Sequence, residues 1–117
     1  MSQYLLLLHE SESDFAGFSP EEIQKIIQEY RVWTKRLMDE KRIVHNNKLT
    51  DEPGKVLRPG NDEIIITDGP YSETKELVGG YYVIEAADYT EAIEIAKTSP
   101  HLRYGGRIEV REIHQLM

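Results

Sequence analysis

The sequence predicts a single α+β domain, and three observations carry that expectation. Two short runs are almost wholly apolar, Leu5-Leu6-Leu7-Leu8 and Tyr81-Tyr82-Val83-Ile84. Two amphipathic segments each open on a capping signal, at Ser19 and at Asp88. These elements alternate along 117 residues, a length that fits one domain, residues 1–117, and leaves little room for a second core.

Residues 4–8 form the first expected strand, because a short unbroken apolar run suits a strand covered on both faces. Residues 10–18 read as a loop. Ser19-Pro20-Glu21-Glu22 then starts a helix: Ser19 can cap, Pro20 fits the first helical position, and Glu22 stands where a capping-box carboxylate reaches back. Phe18 and Ile23 are placed to form a hydrophobic staple. Ile23, Ile26, Ile27, Tyr30, Trp33 and Leu37 recur at three- and four-residue spacing, one apolar stripe of a helix running to about Glu40.

Residues 42–49 include a short strand. Residues 56–67 read as a hairpin, with turn chemistry at Pro59-Gly60-Asn61-Asp62 and a β-branched run at Ile64-Ile65-Ile66-Thr67. Asp68-Gly69-Pro70 ends it, and residues 71–78 read as a polar loop or one helical turn. Gly79-Gly80 leads into a well-buried strand over residues 81–86. Asp88, with Glu91 three positions on, opens a second helix that stops at Pro100. After the Tyr104-Gly105-Gly106 turn, residues 107–113 alternate imperfectly, as a strand at a sheet edge does.

This order contains two successive β-α-β units, which implies a ferredoxin-like βαββαβ protomer. The first strand and the strand over 81–86 should pair in the middle of its sheet. Two helices cover one face only, so the other apolar face predicts a homodimer packed sheet against sheet.

Composition narrows the function. Fourteen Lys and Arg against 21 Asp and Glu give a formal net charge of −7, which argues against nucleic acid or an anionic membrane as the main partner. The chain has no cysteine, so disulfides and thiolate chemistry are excluded. The longest apolar run is far short of a membrane span and lacks the basic flank of a signal peptide, so a cytoplasmic protein is expected.

Candidate site residues follow from side-chain chemistry. Asp68 reads either as a general base in a pocket or as an Asx turn whose carboxylate accepts backbone N–H bonds. Glu73, Lys75 and Glu76 either line the same mouth, Lys75 meeting an anionic substrate, or form a solvated loop with surface ion pairs. Gly79-Gly80 permits close backbone approach or a bulge, and its spacing does not match a phosphate-binding loop. Tyr81 and Tyr82 must point to opposite faces, one under a helix and the other into the dimer interior. His9, His45, His101 and His114 show no i,i+2 or i,i+4 pair, so no local metal motif exists. His9 and His45 are placed to reach the sheet mouth, while His101 and His114 read as peripheral. No Gly-x-Ser-x-Gly elbow is present, and hydrolase-type nucleophilic catalysis has no support.

The stretch Asp68-Gly69-Pro70-Tyr71-Ser72-Glu73-Thr74-Lys75-Glu76, continuing through Leu77-Val78-Gly79-Gly80-Tyr81-Tyr82, resembles the signature of the DGPF family within the YCII-related group. Tyr71 stands at the aromatic position of that signature. The first strand, the Ser-Pro-Glu-Glu helix start and the closing Gly105-Gly106-Arg107-Ile108-Glu109-Val110-Arg111 are also similar to the family's, so the resemblance covers effectively the whole chain. It implies a dimeric α+β barrel of ferredoxin-like protomers. Related YCII proteins are proposed to use a His–Asp pair with the His near the start of the first helix. Pro20, Glu21 and Glu22 stand there in this chain, so that pair does not carry over.

The functional expectation is therefore a homodimer with a small-molecule pocket, carrying out acid–base chemistry on a small polar metabolite without metal or redox cofactor. Asp68 would be the base and His45 or His9 its partner. Tyr81 or Lys75 would contact the substrate anion, with Tyr71 and Glu73 lining the site. The alternative is a regulatory module. The family resemblance implies genes beside sigma factors of the extracytoplasmic type, and an acidic surface could meet a basic transcription-factor partner.

Overall fold

A computed structural model describes residues 1–69 and 76–115 of the protein. Strand β1 (Ser2–Glu10) is followed by a 3-10 turn (Glu12–Asp14) and helix α1 (Pro20–Asp39). Strands β2 (Ile43–Lys48), β3 (Lys55–Pro59), β4 (Ile64–Asp68) and β5 (Leu77–Ala86) come next. Helix α2 (Tyr89–Lys97), a 3-10 turn (Pro100–Tyr104) and strand β6 (Arg107–Glu112) complete the order. The main sheet is antiparallel throughout, in the order β2-β5-β1-β6, the ferredoxin-like arrangement with the β3–β4 hairpin as a separate sheet.

The local signals act as expected. Ser19 Oγ accepts the Glu22 N–H at 3.1 Å while the Glu22 carboxylate accepts the Ser19 N–H at 3.1 Å, a complete capping box over Pro20. Asp88 accepts the Glu91 N–H at 2.9 Å. The hairpin turns where Gly60 N–H donates to Glu63 O at 2.7 Å. β1 and β5 pair in the middle of the main sheet, and β6 lies at its edge.

The strand alternation sorts side chains into two faces. Tyr4, Leu6, Leu8, Tyr82, Ile84 and Ala86 turn toward the helices and are buried with Trp33, Leu37, Ala92 and Ala96. Each fully buried aliphatic side chain contributes about 1.5–3 kcal/mol, so this one cluster is the main source of stability. Polar tips in the core are satisfied: Trp33 Nε1–H donates to Thr98 Oγ1 at 2.8 Å, and Tyr82 shares a 2.6 Å hydrogen bond with Thr34. Leu5, Leu7, Tyr81 and Val83 lie on the opposite face and remain half-buried. Among the described residues of one chain, the apolar strands are therefore fully covered on the helix side only.

Two expectations need correction. β5 begins at Leu77, so Leu77 and Val78 belong to the strand and the paired glycines lie inside it. His101 is not peripheral: it is 1% exposed, in the 3-10 turn after α2.

Candidate functional site

The sequence-predicted residues fall in separate places. Asp68 closes β4 opposite Lys55, exposed to solvent and paired with the Lys55 ammonium. The hydrogen bond and charge of Lys55 hold its carboxyl below the ordinary carboxylate range. Among the described residues no histidine is its hydrogen-bond or ion-pair partner. Gly69 N–H donates to Gly54 O at 2.9 Å, which ties the end of β4 to the chain entering β3.

His45 and Tyr81 do meet. β2 and β5 bring them together as diagonal neighbours, His45 standing opposite Val83 and Asn47 opposite Tyr81, with Tyr81 Oη and His45 Nδ1 at 2.9 Å and Asn47 Nδ2–H donating to Tyr81 Oη at 3.2 Å. His9 lies farther across the same open face, its Nε2 at 3.0 Å from a Glu109 carboxylate oxygen. Tyr81 thus points away from the helices and Tyr82 toward them, as the alternation requires. Tyr71, Glu73 and Lys75 lie outside the described residues. Among the described residues, no three His, Asp or Glu side chains gather as metal ligands.

A second group of polar side chains lies on the helix side. A cleft of about 730 Å³ runs between α1 and the β2–β5 half of the sheet. Ile23, Ile27 and Met38 of α1, with Leu8 and Phe15, make its apolar wall. Its floor passes over Gly79 and Gly80, two positions of a central strand that carry no side chain. The register between β1 and β5 jumps there, from Leu8 opposite Gly80 to His9 opposite Val78, so Gly79 is the extra residue of a bulge. A Cβ on Gly79 would lie 2.4–2.8 Å from the Glu10 carboxylate. The missing side chain is what lets that carboxylate lie across the strand into the cleft.

At this end of the cleft the half-buried Tyr30 pairs with the buried His101. Tyr30 Oη and His101 Nδ1 are 2.7 Å apart, and His101 Nε2 is 2.7 Å from the His9 carbonyl oxygen. A carbonyl only accepts, so Nε2 carries the ring proton. In the neutral ring Nδ1 is then bare and takes the phenol proton, leaving the lone pairs of Tyr30 Oη free toward the cleft. Burial, followed by the nearby charge of Glu10, pushes the Tyr30 phenol well above its ordinary range. Sequence reasoning missed Glu10, Tyr30 and His101 because Glu10 read as loop, Tyr30 as helix stripe and His101 as surface. One signal was present in the glycines. A Cβ at Gly106 would lie 2.2–2.5 Å from the His101 ring, so Gly106 marks a buried group pressed against it, as Gly79 marks Glu10.

An uncharacterized protein of Rhizobium meliloti (strain 1021) is 27% identical over 95 residues, covering 80% of this chain and 77% of that protein. The model of the YCII-related domain matches residues 2–116, and the chain belongs to that family.

Proposed function

We propose that the protein binds a small organic molecule in the cleft between α1 and the sheet. The observation that carries this reading is the paired glycine under α1: a central strand is stripped of side chains where the apolar wall faces it. Glycine in a strand interior weakens the strand and leaves packing unmade, and here the space it leaves is lined by Glu10, Tyr30, Thr34 and Tyr82. An apolar wall with a few convergent polar groups is the usual form of a small-molecule site. Acid–base chemistry would centre on the same end, where Tyr30 can pass its proton to His101 while accepting one from a ligand.

The proposal includes a homodimer in which a second copy covers Leu5, Leu7, Tyr81 and Val83. His45 and Tyr81 would then sit at the dimer interface rather than in the cleft. The reading is supported by an apolar sheet face left half-exposed. Leu7→Lys should give a monomer by sedimentation equilibrium, and an unchanged dimer would exclude this face.

The test of the cleft is a thermal-shift screen of small metabolites against the wild type and Ile27→Trp, which fills the cleft from its wall. A hit lost in the filled variant supports the site. Hits that survive the filling place binding elsewhere and overturn it. A second reading, a partner-binding module of the kind associated with sigma-factor-dependent transcription, is favoured by the β3–β4 hairpin. Leu57, Ile64 and Ile66 are exposed along one of its faces. Leu57→Ser/Ile66→Ser should then abolish partner capture without changing ligand binding.

A further inference from the structure

We infer that the cleft takes a small amphiphilic amine, its apolar body along Ile23 and Ile27 and its ammonium group held between the Glu10 carboxylate and the phenol oxygen of Tyr30. This inference rests on the cleft being the ligand site and adds the chemical class of the ligand.

The two polar groups at the Gly79 end of the floor, Glu10 and Tyr30, present acceptors. The Glu10 carboxylate lines the cleft and makes no hydrogen bond or ion pair with another described residue, and carboxylate oxygens accept hydrogen bonds. Tyr30 shows the same character for a structural reason. With the His101 ring neutral, its proton is committed to His101 Nδ1, because the other nitrogen of that ring donates to the His9 carbonyl. A ligand approaching Tyr30 Oη therefore meets lone pairs and has to bring the hydrogen. A carboxylate or phosphate brings none. A hydroxyl brings one, and an ammonium brings three together with a charge opposite to that of a carboxylate.

The cations at the rim do not reverse this preference. Lys35 is paired with Asp39 at 2.9 Å and Lys48 with Asp51 at 3.3 Å, so two of the three positive charges already have partners. Arg31, the third, is exposed at the outer edge, where solvent and salt screen it. Glu10 by contrast lies across the bulge at Gly79, where neither Gly79 nor Gly80 carries a side chain.

The experiment titrates n-hexylamine, n-hexanol and n-hexanoate into the full chain, following Trp33 fluorescence and the melting midpoint. Trp33 is the sole tryptophan and stacks edge-on against Tyr82, a cleft residue, with ring centroids 4.9 Å apart. The expected result is saturable binding of hexylamine, at least about tenfold tighter than hexanol and weakened about tenfold or more in Glu10→Gln, since a charge-assisted hydrogen bond is lost. Gly79→Ala, which displaces the Glu10 carboxylate without removing it, should reproduce that loss if Glu10→Gln fails to fold. Equal binding of amine and alcohol, tighter binding of hexanoate, or no effect of either variant overturns the amine while leaving the cleft intact. No saturable binding of any probe, or binding indifferent to Ile27→Trp, overturns the cleft reading and this one together.

Discussion

His101 should be the most consequential single histidine, and His101→Ala is the perturbation that shows it. The ring is 1% exposed and makes two hydrogen bonds of 2.7 Å, one to Tyr30 on α1 and one to the His9 carbonyl on β1. It therefore fastens the turn after α2 to both the long helix and the central strand. Each hydrogen bond contributes about 1 kcal/mol net, and a half-buried phenol left without its acceptor adds a desolvation cost of up to about the same size. Lost ring packing brings the total to about 3–4 kcal/mol, a large part of the ~5–15 kcal/mol that a domain of this size possesses. At about 4 °C per kcal/mol the melting midpoint should fall by about 12–16 °C. His101→Phe separates the terms: it keeps ring volume and loses both hydrogen bonds, so it should recover only the packing part. Urea and thermal denaturation of both variants, beside the exposed control His114→Ala at within about 0.5 kcal/mol, provide the measurement. If His101→Ala behaves like His114→Ala, the two bonds do not hold the fold and the assignment of Tyr30 as an acceptor falls with them.

Three further outcomes are expected. Leu37→Ala, at a side chain 1% exposed in the core, should cost about 2–5 kcal/mol in urea unfolding, while Val32→Ala on the exposed side of the same helix should stay within about 0.5 kcal/mol. Glu91 accepts the Ala87 N–H and pairs with Arg42 at 2.6 Å, and these hold its carboxyl below 4.5 in the folded chain. Its contribution is complete above the unfolded value and is lost as pH falls through the folded one, because the unfolded chain takes up the proton first. Glu91→Gln should therefore flatten the acid side of the stability curve below about pH 5, as read by denaturation at successive pH values. Gly79→Ala should cost little in thermal stability, since the atom in its way is the end of a flexible Glu10 side chain, and a drop above about 3 kcal/mol would show instead that the bulge itself cannot accept a Cβ.

The parts of the fold that were legible in the sequence are those governed by short-range chemistry. Ser19-Pro20-Glu21-Glu22 carries its own cap, and the Pro59-Gly60-Asn61-Asp62 turn carries its own hairpin. The four-leucine run could only be a buried strand of a domain this size. The start of β5 was not legible, because two glycines read as a breaker when their neighbours are unknown; across from β1 they are a bulge with a carboxylate lying over it. The site was less legible still. Tyr30 and His101 are 71 residues apart and Tyr81 and His45 are 36 apart, distances at which no spacing rule applies. Asp68 drew attention through the motif around it, yet its described partner is a lysine on the neighbouring strand of an exposed hairpin.

Three features of this chain run against the local rules for a stable sheet. A central strand carries two glycines in sequence, each weaker than alanine there by roughly 0.5–1 kcal/mol. A carboxylate, Glu10, stands on the helix-covered face in register with Tyr4, Leu6 and Leu8. A histidine is sealed in the interior, with Gly106 kept bare to admit its ring. If these departures were unrelated they would be scattered over the molecule, since nothing in the ferredoxin-like framework requires any of them. Instead Gly79, Gly80, Glu10 and His101 all border one cleft, beside Tyr30. Sequences that specify a fold depart from local consistency chiefly where function demands it. The clustering is thus an argument for the cleft that does not depend on its volume.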